Sequence, residues 1–107
     1  MSQITSQKQG QFGPLHGVRV LDVSTMIAAP FGATLLGDLG ADVIKVEIPG
    51  KGDTLRNVGP WKGEEPLRWP GMSRNKRSVT LDIRTEKGQA LFKRLCEKAD
   101  VLIENFR

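Results

Sequence analysis

Gly17 to Glu47, GVRVLDVSTMIAAPFGATLLGDLGADVIKVE, reads as strand, helix, strand with almost no slack. Residues 18–23 are short and rich in β-branched side chains, which predicts a first strand there. Pro30 suits the first position of a helix, where its missing N–H would be unpaired anyway, and Gly40 suits its end. Phe31, Leu35, Leu36 and Leu39 recur at helical spacing and are expected to form the apolar face. Residues 42–47 predict a second strand. A parallel pair joined by a helix leaves both strand C-termini on one edge of a sheet, where α/β proteins bind ligands.

A second such unit follows. Residues 78–83 alternate through Val79, Leu81 and Ile83 and predict a third strand. Thr85 fits an N-cap, Glu86 favours the positive end of the helix dipole, and Leu91, Leu95, Cys96 and Ala99 form an apolar stripe. Val101, Leu102 and Ile103 predict strand four. Between the units, Pro49, Pro60, Pro66 and Pro70 with Gly50, Gly52, Gly59, Gly63 and Gly71 make regular structure unexpected over 48–72. The Gln-, Ser- and Gly-rich residues 1–14 read as a disordered lead-in. The order βαβ, loop, βαβ implies an α/β fold, a parallel sheet with flanking helices and right-handed crossovers. Two helices leave such a sheet incompletely covered, so a continuation of the chain or a partner is expected to supply the rest.

Composition narrows the function classes. Cys96 is the only cysteine, which excludes an intramolecular disulfide and fits a reducing compartment, so the cytoplasm is expected. No apolar run has the length of a membrane span, and no signal-peptide block is visible. The net charge of +4 has a centre. Lys51, Arg56, Lys62, Arg68, Arg74, Lys76, Arg77 and Arg84 face only Asp53, Glu64, Glu65 and Asp82 within 51–84. Such an excess suits a polyanionic partner or describes a solvated basic loop, and charge alone does not choose. A nucleic-acid partner is not expected, because Tyr is absent and stacking aromatics are few.

The first strand-to-helix turn lacks the Gly-x-Gly-x-x-Gly spacing of a nicotinamide or flavin site. Small Ala28 and Ala29 either admit a ligand to the helix N-terminus or serve close packing of helix on sheet. Arg74 to Ser78 is either a charged loop or a phosphate cluster. Because Lys76 and Arg77 precede their strand, Arg84 at its far end is the better ligand contact. His16 reads as a surface or packing residue, Cys96 as core, and Trp61 and Trp69 as anchors for the loop. Asp22, Asp42 and Asp100 flank strands and read as turn or cap residues. One His and one Cys cannot build a metal site.

Several blocks, taken in order, resemble the amino-terminal part of the class III CoA-transferases, the family of formyl-CoA transferase, carnitine CoA-transferase and α-methylacyl-CoA racemase. They are Gly17-Val18-Arg19-Val20-Leu21-Asp22, Ala29-Pro30-Phe31, and Leu39-Gly40-Ala41-Asp42-Val43-Ile44-Lys45-Val46-Glu47. Pro49-Gly50-x-Gly52-Asp53, Asn75-Lys76-Arg77-Ser78-Val79-Thr80-Leu81-Asp82 and Ala99-Asp100-Val101-Leu102-Ile103-Glu104-Asn105-Phe106 complete the series over 15–107. The resemblance implies the first part of a Rossmann-like large domain in a longer chain, two copies of which interlock as a homodimer.

It further implies that coenzyme A lies along the ligand edge. The contacts would be Ile27 and Ala28 after strand one, Leu81, Asp82, Ile83 and Arg84 after strand three, and Asn105, Phe106 and Arg107 after strand four. Some relatives carry Arg where this chain has Ile48, and Lys51 or Arg56 is the expected substitute. The substrates implied are an acyl-CoA and a carboxylic acid, with no tightly bound cofactor. The family's nucleophilic aspartate lies beyond Arg107, so no catalytic residue is expected here and the chain alone is expected to be inactive. Racemisation on the same fold, or a nucleotide-binding fragment without activity, are the alternatives.

Overall fold

The computed structural model describes residues 12–107. Of the lead-in expected over 1–14, residues 1–11 lie outside that range. Six strands and three α-helices follow. They are β1 (Arg19–Asp22), α1 (Ala28–Asp38), β2 (Asp42–Glu47), β3 (Trp61–Lys62), β4 (Glu65–Pro66), α2 (Arg68–Met72), β5 (Lys76–Thr80), α3 (Glu86–Cys96) and β6 (Val101–Ile103). Strands β5, β2, β1 and β6 form one parallel sheet in that order. The expected α/β architecture is therefore present, with α1 carrying the crossover from β1 to β2 and α3 that from β5 to β6.

The first unit matches the expected boundaries to within two residues. Gly40 ends α1 at φ +107, a conformation that glycine adopts without the clash a Cβ would cause. Its Cα sits so close to the backbone of Phe12 and Gly13 that a side chain would have no room. Pro30 is the third residue of α1 rather than the first, still within the turn whose N–H groups have no helical acceptor.

Of the four residues expected on the apolar face, only Leu36 packs against the core. Phe31, Leu35 and Leu39 are exposed, whereas Pro30, Ala33, Thr34 and Gly37 are buried. The sheet takes the small face because the backbones approach closely. A Cβ on Gly37 would stand 3.2 Å from the Asn75 carbonyl oxygen and 3.4 Å from Val43. The core is Val20, Ala33, Ala41 and Val43, with Leu15, Val18, Leu36 and Ile103 packed against it. Of α3, only Gly88 is buried, and Leu91 on the expected apolar stripe is exposed. Cys96 is half-buried rather than core.

Two further expectations change. The third strand begins and ends earlier than 78–83, because register with β2 runs from Val43↔Lys76 to Glu47↔Thr80. Past Thr80 the Asp82 carboxylate accepts the Arg84 N–H (3.0 Å), a side-chain turn that curls the chain off the sheet. The segment 48–72 is also less irregular than its prolines suggest. It holds a 3₁₀ turn (Thr54–Asn57), the antiparallel pair β3–β4, and the short helix α2. No helix among the described residues is long and apolar enough to cross a membrane.

Candidate functional site

Parallel register brings the ends of β1, β2, β5 and β6 to one edge, and a cavity of about 160 Å³ opens there. Val23, Val46, Ile48, Leu81, Ile83 and Phe106 supply most of its apolar wall, with Ser24 and Thr25 from the turn after β1. Lys45, Glu47 and Asp53 close its polar side. Beside it a polar recess of about 210 Å³ is lined by Glu47, Lys51, Arg56, Ser78 and Thr80, among others.

Of the residues singled out from sequence, Leu81, Ile83 and Phe106 line the cavity. Ile27 and Ala28 are exposed at the start of α1, on the turn leading from the Ser24–Thr25 wall. Asn105 fastens that turn. Its Nδ2 donates to the Thr25 carbonyl (2.8 Å) and its Oδ1 accepts the Thr25 N–H (3.1 Å). Arg84 folds back on its neighbour, donating to Asp82 Oδ1 at 2.8 Å and Oδ2 at 3.0 Å. That contact lowers the Asp82 pKa and raises that of Arg84. Arg107 is exposed, with no salt bridge among the described residues.

Beneath the cavity lies a group of charges that sequence reasoning missed. Asp22, Lys45, Asp53 and the ammonium end of Lys76 are almost wholly buried. Lys45 Nζ donates to Asp53 Oδ2 (2.7 Å) and the Ser24 carbonyl (2.6 Å), and stands 3.6 Å from Asp22 Oδ2. Lys76 Nζ donates to Asp22 Oδ2 (2.8 Å) and the Pro30 carbonyl (2.8 Å). Burial pushes the Lys76 pKa down, opposed by its bond to Asp22. Two positive and two negative side chains thus neutralise one another out of water, the condition under which burial of charge is tolerated. The visible signal was a lysine inside the apolar run 42–47 and an aspartate inside 18–23.

Asp22 is a buried ion-pair partner of Lys76 rather than only a turn residue, although it also accepts the Ser24 N–H and hydroxyl. Lys76 and Arg77 lie inside β5 and are committed to Asp22 and Asp42, not to a phosphate. Burial would raise the Asp42 pKa, but the guanidinium groups of Arg77 and Arg19 hold it below the usual range. Arg56, offered as a substitute for the missing Arg at Ile48, binds both oxygens of Glu47 at 2.8 Å and lies 4.1 Å over the Trp69 ring. Its hydrogen bonds lower the Glu47 pKa. Trp69 thus anchors the loop through Arg56, while Trp61 is half exposed. Much of the central positive excess is neutralised within the fold, and Lys51, Lys62 and Arg68 form no salt bridge among the described residues.

Chemically, the edge offers an apolar slot beside a polar recess, with cations at its rim. No group of His, Cys, Asp or Glu among the described residues is arranged to hold a metal ion. The family model for CoA-transferase family III matches residues 15–107. The chain is 56% identical over 95 residues to the succinyl-CoA–L-malate CoA-transferase beta subunit of Chloroflexus aurantiacus, covering 88% of this chain and 24% of that one. It is 45% identical over 94 residues to the succinyl-CoA:glutarate CoA-transferase of Homo sapiens, covering 87% and 22%. A CAIB/BAIF family protein from Brucella suis, known from its crystal structure, superposes with a TM-score of 0.79 at 45% identity, covering 88% of this chain and 26% of that one. The chain therefore spans about a quarter of the length of the relatives it matches.

Proposed function

This chain belongs to CoA-transferase family III, and on that premise we propose that it forms the coenzyme A-binding portion of an enzyme that moves coenzyme A between an acyl-CoA thioester and a free carboxylic acid. Ile27 and Ala28, Leu81 to Arg84, and Asn105 to Arg107 are the proposed contacts. The nucleophile is an aspartate outside these residues. Its carboxylate oxygen attacks the thioester carbonyl, the C–S bond breaks, and a mixed anhydride and the coenzyme A thiolate result. The working unit is an interlocked homodimer of longer chains in the cytoplasm, with no tightly bound cofactor.

The observation that carries this reading is the shared cavity. Thr25, Leu81, Ile83 and Phe106 come from three separate strand ends and line one apolar slot. An apolar slot suits the pantetheine arm, and Arg84, next in sequence to the lining residue Ile83, suits the phosphates once it leaves Asp82.

Calorimetric titration of the 107-residue chain with coenzyme A is expected to give saturable binding, weakened about tenfold by Arg84→Ala. Absence of binding at millimolar coenzyme A overturns the proposal. The whole enzyme, given acyl-CoA donors and carboxylic acids, is expected to exchange coenzyme A between them.

A further inference from the structure

Met26 adopts a left-handed backbone, φ 71, in the turn that leads from β1 to α1. A side chain at Cβ makes that conformation unfavourable, so something must hold it. The hold comes from Asp53, in the loop after β2. Asp53 Oδ1 accepts the Met26 N–H (3.0 Å) and the Leu55 N–H (2.9 Å), and Oδ2 accepts Lys45 Nζ (2.7 Å). The Asp53 N–H is itself fixed, donating to Glu47 Oε1 at 2.7 Å. Lys45 reaches past it to the Ser24 carbonyl, so both residues flanking Thr25 are tied to β2 and its loop. Asn105 holds Thr25 itself from the β6 side.

The carboxylate of this clamp is not free for a ligand. Both Asp53 oxygens accept donors of the fold, and the Lys45 ammonium donates to Ser24 O and Asp53 Oδ2, with Asp22 Oδ2 3.6 Å away as a further counter-charge. We propose that Asp53 is a positioning residue: it holds the strained Ser24–Met26 turn in the shape that presents Ile27 and Ala28 to the ligand, and so sets affinity for coenzyme A through that turn, its own carboxylate oxygens being taken by donors of the fold. The ligand named here rests on the function proposed above; the clamp itself does not.

Asp53→Asn is the direct test. Whichever way the amide turns, its NH2 faces donors, either the Lys45 ammonium or the Met26 and Leu55 N–H groups. Residue-resolved amide hydrogen exchange and coenzyme A titration of the 107-residue chain are measured together. The expected result is Met26 exchange faster by about tenfold or more with Leu21 and Val43 unchanged, and coenzyme A bound about tenfold more weakly. Should that variant not fold, Asp53→Glu keeps the charge beside Lys45 while its extra methylene displaces the oxygen from Met26, and the same pair of changes is expected. Unchanged Met26 exchange, a uniform acceleration including Leu21 and Val43, or a loosened Met26 with unaltered affinity would each overturn the proposal. A wild-type chain that binds no coenzyme A overturns the function reading instead, and Met26 exchange still decides the clamp.

Discussion

Gly88 shows how much one missing Cβ can decide. The Thr85 hydroxyl caps α3 by accepting the Gly88 N–H at 2.9 Å and donating to the Asp82 carbonyl at 2.9 Å. That closes the turn so tightly that a Cβ on Gly88 would collide with the Asp82 carbonyl oxygen. Alanine, ordinarily the better helix former, is therefore expected to destabilise the chain here by about 1–3 kcal/mol, measured by denaturant unfolding. The Thr85 cap was legible because capping is a local rule read from neighbouring side chains. The buried ions were not. Lys76 meets Asp22 across 54 positions of sequence, and only the strand order that places β5 beyond β2 brings them together. Periodicity likewise grouped Phe31, Leu35 and Leu39 on one side of α1. It could not show that the opposite, small-residue side packs on the sheet, because that depends on how closely two backbones approach.

Among the elements, β2 and the strap that follows it are locked to each other. Glu47 ends the strand, is nearly buried, and accepts three strong donors, two from Arg56 and the Asp53 N–H. Arg56 lies on Trp69, so one carboxylate secures both the 3₁₀ turn and α2. The Arg56 hydrogen bonds hold the folded-state pKa of Glu47 below that of the unfolded chain. Its stabilising contribution is therefore complete above the ordinary glutamate range and is lost as pH falls through the lowered folded value. Arg56→Ala is expected to move the acid-unfolding midpoint to higher pH, followed by circular dichroism. An unmoved midpoint would show that the pair does not support the fold. Proline and glycine frequency over 48–72 read as disorder of form, yet Leu55 within it is fully buried. Leu55→Ala is expected to cost about 2–5 kcal/mol in denaturant unfolding, as for a core position.

For the molecule as a whole, the four-stranded sheet was legible from the repeated strand–helix–strand rhythm, and the gathering of its strand ends at one edge followed from parallel pairing alone. The central positive excess was not a reliable pointer, because Arg56, Arg74, Lys76, Arg77 and Arg84 are matched by carboxylates across the structure. The two outer strands differ in kind. On β5 the exposed Arg77 carries a charge, paired with Asp42, whereas β6 offers Val101 and Leu102, exposed and uncharged. Unpaired backbone beside apolar side chains recruits another strand, and cationic side chains discourage it. In dilute solution the 107-residue chain is therefore expected to dimerise through β6 joined antiparallel to its own copy about a two-fold axis. Sedimentation should show the concentration-dependent pair, and Leu102→Lys should abolish it.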